Sequence, residues 1–193
     1  MNLGKVIAVG VLLAVPAFLD AQTSDTAGWK TYRNESGEYQ FRFPDTLHLS
    51  IPTGKTCSNG ECKAIENVML SSLESNGPGS VKSMSFMIQR GINPQRLPIQ
   101  QWYEGLAHRP LRPDSEAVVT VGGKAAIRRG PLVNAVTVHT EDGKTVSRSE
   151  GMVPDDTLYV PLNSTDVLTV SSPSGSALSE TYAKVRSTLT FTK

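Results

Sequence analysis

Three histidines, His48, His108 and His139, are the first candidates for acid–base catalysis or metal binding. No His-x-x-x-His or His-Glu-x-x-His spacing joins them, so the local zinc-site signature is missing. His48 falls on the polar side of an alternating segment, His108 at the end of a helical pattern, where the helix dipole favours a cation, and His139 in a hairpin strand. Solvated or structural histidines are expected, with no catalytic residue, no metal and no cofactor. The adjacent carboxylates Asp155-Asp156 and Glu141-Asp142 are no ready acid/base couple, because neighbouring strand residues face opposite ways. Nor do these segments supply the alternate-position ligands of a calcium loop. Gly-x-Ser-x-Gly, Ser-x-x-Lys and the P-loop pattern are all absent. The serines of 172–176 read as a linker and helix cap, and Trp102 and Tyr103 as part of a core stripe. Asn34-x-Ser36 and Asn163-x-Thr165 fit the glycosylation sequon, which matters only in a eukaryotic host.

Two cysteines, Cys57 and Cys62, flank Ser58-Asn59-Gly60-Glu61. Asn-Gly is a strong two-residue hairpin signal, since both positions tolerate the positive φ of a type I′ turn. Such a turn pairs Ser58 with Glu61 and sets Cys57 opposite Cys62, close enough for a cross-strand disulfide. A redox centre usually has Cys-x-x-Cys spacing, and a zinc site would need further ligands, with no His nearby in sequence. A structural disulfide between Cys57 and Cys62 is the expectation.

That disulfide presumes an oxidising compartment, and the N-terminus points to one. Lys5 precedes the apolar and small residues of Val6–Leu19, and Ala21 offers a small side chain just before a polar run. This is the layout of a cleavable secretory signal peptide over 1–21. The fourteen-residue run would rise only about 21 Å as a helix, short of a roughly 30 Å hydrocarbon core. Pro16 would also break it. No second run is long enough to span a bilayer. Residues 22–28 read as a flexible leader and 29–193 as one globular domain. Losing Lys5 and Asp20 with the signal leaves the formal charge of +1 unchanged. A surface so balanced has no strong field for nucleic acid or anionic lipid.

The elements follow from periodicity and turn chemistry. Tyr39, Phe41 and Phe43 alternate with polar residues up to Pro44, and Leu47, Leu49 and Ile51 repeat the pattern. Ile65–Leu73 reads as a strand whose Val68-Met69-Leu70 run suggests burial on both faces, and 74–80 as a loop. Met84, Phe86 and Ile88 line another strand. Ile99, Trp102, Tyr103 and Leu106 form one apolar helical stripe, started by Pro98 and ended before Pro110. Strands follow at 119–121 and 125–128 around Gly122-Gly123. Asp142-Gly143 closes a hairpin that sets Glu141 opposite Lys144 and His139 opposite Val146. Two more strands fall at 158–162 and 167–171. Ser176 can cap a last helix with Leu178, Tyr182, Val185 and Leu189 on its buried stripe, and Thr188–Phe191 can end as an edge strand. Eight or nine strands joined mostly by hairpins, with two helices, make a single α+β sandwich: an antiparallel sheet flanked by helices.

Trp29-x-x-Tyr32-x-Asn34, then Gly37-x-Tyr39-x-Phe41-x-Phe43-Pro44, resembles the opening of PsbP-like domains, the Mog1/PsbP-like fold. The helix carrying Trp102, the Gly123-x-Ala125 hairpin and the closing Tyr182…Phe191 stretch are also similar, so the likeness spans nearly all of residues 29–193. It implies an α/β/α sandwich around a central antiparallel sheet. It also implies varied roles: lumenal accessory subunits of photosystem II, a binder of a small GTPase in yeast, and exported bacterial proteins. Leu47 stands near the place where the family often has a Trp, and no photosynthetic-type targeting region is present.

The expected function is an exported, non-enzymatic binding or accessory protein of the bacterial cell envelope, periplasmic or secreted, with another envelope protein as partner. An apolar patch on the sheet, or between sheet and helix, would form its surface, rimmed by loops 52–64 and 74–80. The alternatives are an envelope hydrolase with a dispersed active site and a secreted effector.

Overall fold

The computed structural model describes residues 26–52, 55–58, 61–64, 66–72, 83–141, 144–153, 155–173 and 178–192; for the hairpins at 55–64 and 132–153 the description is of the backbone. The expected signal peptide, the loop 74–80 and the cap Ser176 lie outside these residues. The last three positions of the expected leader 22–28 do not float: Thr26–Gly28 form a turn, and Arg42 donates to the Thr26 hydroxyl and carbonyl at 3.0 and 2.7 Å.

The alternation around Phe41 does become a strand, with its apolar face fully inward. β1 (Lys30–Arg33), β2 (Tyr39–Phe43) and β14 (Thr190–Phe191) make a three-stranded sheet with β2 central. The main sheet has seven strands. It contains β3 (Leu47–Ser50), β6 (Asn67–Ser72), β7 (Met84–Gln89), β8 (Glu116–Val121), β9 (Lys124–Arg129), β12 (Asp155–Pro161) and β13 (Val167–Pro173). Their spatial order is β3-β6-β7-β13-β12-β9-β8, and every pair is antiparallel. Among the described residues two hairpins pair only within themselves: β4 (Lys55–Ser58) with β5 (Glu61–Ala64), and β10 (Leu132–Glu141) with β11 (Lys144–Val153).

The helices are α1 (Ile99–Ala107) and α2 (Ser179–Ser187). Tyr182, Val185 and Leu189 join Tyr39, Phe41 and Phe43 against Val68, Leu70, Met84, Phe86, Leu158, Val160, Leu168 and Val170 of the main sheet. The alternate residues Ile127 and Val167 pack on the opposite side with Ile99, Trp102 and Tyr103 of α1. The chain is thus an α+β sandwich: α2 and the small sheet on one face of the seven-stranded sheet, α1 on the other.

Several expectations need correction. Fourteen strands are present among the described residues rather than eight or nine. The edge strand expected at 188–191 is present as β14, whereas β1, four mostly exposed residues, is too brief to carry a readable alternation. Leu106 is 53% exposed. The apolar floor supports the first turns of α1. At its end His108 turns left-handed (φ 53°), closing on the Gly105 carbonyl while Arg109 closes on that of Glu104. Ile51 lies past the end of β3 and is 51% exposed. Val68 and Leu70 are buried but Met69 is only half-buried, because α1 packs over β9 and β12 at the far side of the sheet. Glu141 does pair with Lys144, but a bulge moves His139 opposite Ser147 instead of Val146. The residue at the head of α2 is Leu178, without a side-chain cap.

Gly122-Gly123 makes the two-residue turn between β8 and β9, both with positive φ (53° and 80°), as a type I′ turn requires. A Cβ on Gly122 would lie 2.8 Å from the Leu189 carbonyl oxygen and from the Phe191 ring. The turn is wedged under β14. Gly123 has open space around it. Gly122→Ala is therefore expected to cost at least about 2 kcal/mol, from left-handed strain plus displacement of β14. Gly123→Ala bears the strain alone. Urea midpoints of the two variants check this, and equal midpoints would refute the wedge.

Candidate functional site

The side chains singled out in the sequence do not gather. His48 is exposed on β3 and His108 is exposed at the C-cap of α1. For His139 only the strand position is described. Among the described residues no group of three or more His, Cys, Asp or Glu could hold a metal ion. Cys57 and Cys62 are direct Cα partners in the β4–β5 register, while their side chains lie outside the description. Trp102 and Tyr103 belong to the core as expected, with the indole Nε1 donating to the Ile92 carbonyl at 3.1 Å. Asn34 of the first sequon is buried: its Oδ1 accepts the Tyr39 N–H at 3.0 Å.

The ionisable groups that do meet are arginines and carboxylates far apart in sequence. Arg90, just after β7, spends all five N–H donors on three carboxylates. It takes Glu38 at 2.7 and 2.6 Å, Glu66 at 2.9 and 2.7 Å, and Asp166 at 2.9 Å. These precede β2, β6 and β13, so one guanidinium clasps the small sheet to the end of the large one. Arg90 holds Glu38 below its ordinary pKa. Burial alone would raise that of Asp166, yet the Gly91 N–H, Asn163, Arg90 and Thr165 hold it well below the usual carboxylate range.

Glu116 at the start of β8 has no exposed side-chain surface. It accepts two bonds from Arg109 (2.6 and 2.7 Å), one from the Tyr103 hydroxyl (2.8 Å) and one from the Arg112 N–H (2.9 Å). Arg109 chiefly, with the Arg112 and Tyr103 bonds, outweighs burial and pulls the Glu116 pKa down to about 2. Burial and this carboxylate push the Tyr103 phenol up. On the other face, burial favours the neutral form of Asp156, but Arg128 and Arg186, each 2.8 Å away, keep its pKa low. Carboxylates held ionised in this way cannot donate protons near neutral pH. Their positions make them clamps between elements. Sequence reading missed all three sets: Arg90 and Arg128 meet carboxylates 24 to 76 positions away, and Arg109 and Glu116, seven apart, form no recognised local motif.

One surface differs. Cross-strand register on the α1 side sets Ser50, Met69, Ser85, Ser171, Thr157, Arg129 and Glu116 in a row across all seven strands. A neighbouring row runs Asn67, Met87, Thr169, Tyr159, Ile127 and Val118. Helix α1 packs on the Tyr159–Ile127 end. Toward β3 the residues Ser50, Met69, Ser71, Ser85, Met87 and Gln89 are half-buried, and His48 is exposed. Along the boundary Arg129 Nη2 donates to the Thr157 hydroxyl at 3.3 Å, and that hydroxyl lies 3.4 Å from Ser171 Oγ. Thr169 donates to Gln89 Oε1 at 3.0 Å. The result is a floor of hydroxyls and thioethers beside a helix, with adaptable polar contacts and soft apolar ones. The expectation is an apolar patch on the sheet or between sheet and helix; the half-buried residues beside α1 are largely polar.

No protein-family model and no curated protein matches the chain. Two solved structures are similar to the chain. A crystal structure from Bacteroides thetaiotaomicron shares 12% identity at a TM-score of 0.43 over 85% of this chain, which spans about half (48%) of that one. The solution structure of cyanobacterial PsbP from Synechocystis shares 11% identity at a TM-score of 0.39, over 98% of this chain and 99% of that one. No helix among the described residues is long and apolar enough to cross a membrane. The assignment as an α+β sandwich rests on the strand order and packing of the chain itself.

Proposed function

We propose that this chain is an exported, non-enzymatic accessory protein of the bacterial cell envelope, which binds another envelope protein through the α1-side face of its seven-stranded sheet. The carrying observation is the half-buried run of Ser50, Met69, Ser71, Ser85, Met87 and Gln89 beside α1. Methionines and hydroxyls adapt to a partner surface without needing one fixed charge pattern. The acid and base groups best placed for chemistry are instead engaged in arginine clamps. Connectivity supports hairpin 55–64 as one rim of the face, since it joins β3 to β6; segment 74–80, proposed as the other, lies outside the described residues. Export through the segment 1–21, with residence in periplasm or medium, belongs to the same proposal.

In-cell cross-linking of the tagged protein in its native envelope tests the reading. One reproducible partner is expected, lost in Met87→Lys and weakened by changes in 52–64. Recovery of the protein alone would refute it. The Cys57–Cys62 disulfide is part of the reading, supported by the pairing of these residues in register. Alkylation and mass analysis of protein recovered from the envelope should find no free thiol. Reduction should cost about 2 kcal/mol, the amount a short loop gives.

A further inference from the structure

The β10–β11 ribbon has ten residues in each strand and, among the described residues, joins neither sheet. At about 3.4 Å per residue it is roughly 34 Å long. A two-stranded ribbon of this kind is marginally stable alone in water, and among the described residues no strand pairs with either of its outer edges. Its register is interrupted near each end, between Leu132 and Ala135 and between His139 and Thr140. Between these irregularities runs one regular stretch, in which Ala135–His139 pairs with Ser147–Gly151. On β11 that stretch is centred on Ser149, with Arg148 before it and Glu150 after it.

From this we infer that the outer edge of β11 pairs antiparallel with β11 of a second copy, about a two-fold axis at Ser149. The occupant follows from charge and symmetry. An isologous antiparallel pair centred on Ser149 sets Arg148 of each copy directly opposite Glu150 of the other, giving two cross-strand pairs of opposite charge. The same register sets Ser147 opposite Gly151 and Val146 opposite Met152. A shift of the axis to Arg148 or Glu150 would instead face like charge with like charge, so the sequence selects one register. The four strands then run β10-β11-β11-β10, past the size at which a lone hairpin is marginal. This pairing is independent of the partner-binding face proposed above.

Light scattering on the purified full chain, over a concentration series, should give twice the monomer mass. Arg148→Glu should halve that mass, and the swap Arg148→Glu/Glu150→Arg should restore it. A second measurement avoids the charges. Across an antiparallel pair, Cα atoms lie about 4.5–5.5 Å apart, within disulfide range. Ser149→Cys should therefore cross-link to its own copy on oxidation. In Ser147→Cys the two thiols sit four positions apart, about 14 Å, and should not link. A monomeric parent protein, a dimer indifferent to Arg148→Glu, a swap that stays monomeric, or equal cross-linking of the two cysteine variants would each overturn the inference.

Discussion

Phe41→Ala should lower the unfolding free energy by about 4 kcal/mol, the usual size for emptying a buried phenylalanine site. Phe41 has no exposed surface and sits at the middle of β2. Its ring lies over Phe86 of the main sheet at 4.0 Å between centroids, with 7° between planes, and next to Tyr32 at 5.2 Å. Parallel face-to-face rings are not the favoured aromatic geometry, so burial and close packing carry the effect more than ring electrostatics. The position matters because the small sheet offers little else to absorb a hole: β14 adds two residues and β1 four, the latter mostly exposed. Truncation therefore loosens the layer that closes the core over β7 and β13. Urea unfolding followed by tryptophan fluorescence measures the change, and a loss below about 1 kcal/mol would show that the layer repacks.

Glu116→Gln has the second largest expected effect, about 3 kcal/mol at pH 7 and close to nothing at pH 2. The carboxylate is buried among Arg109, Tyr103 and the Arg112 N–H, and its folded pKa is near 2 against an ordinary 4.5. Folding thus prefers the ionised form. The stabilisation is complete above about pH 4.5 and is lost as pH falls toward 2. About 2.5 pKa units correspond to roughly 3 kcal/mol, and the amide, which cannot ionise, forgoes that amount. The parent protein should lose stability steeply in this window, with Asp166, Asp156 and Glu38 adding to the slope, since each is held below its ordinary pKa. The variant should start lower and fall less. Chemical denaturation at pH 7, 4 and 2.5 separates the cases: parallel curves would mean that Glu116 is not the group responsible.

Both predictions rest on contacts whose legibility in the sequence differs. Phe41 is readable, because the alternation of Tyr39, Phe41 and Phe43 marks a face that must be buried whatever covers it. Likewise the pairing of Cys57 with Cys62 and of Glu141 with Lys144 follows from two-residue turns, whose geometry sets register within a few positions. The first turns of α1 and the stripe Tyr182, Val185 and Leu189 are legible for the same reason, a period carried by neighbours in the chain.

The candidate surface is legible only in part. Sequence pattern offers a place on the sheet or between sheet and helix, without choosing between them. That Ser50, Met69, Ser85, Ser171 and Thr157 share one row could not be anticipated, since it depends on the spatial order β3-β6-β7-β13-β12. Periodicity tells which residues share a face of a strand; strand order and the seat of α1 decide which end of that face is covered. For this reason Met69 is half-buried and Leu106 half-exposed, although both fit apolar patterns. The arginine clamps make the same point with charge. Arg90 meets Glu38, Glu66 and Asp166 across 52, 24 and 76 residues, at the corner where four elements happen to end. Local spacing encodes period and turn, so the sequence by itself determined most of the strands, the hairpin pairings and the cores of the buried stripes. Only the tertiary structure decided which charges meet and which surface stays open, because both depend on how distant strands are ordered side by side.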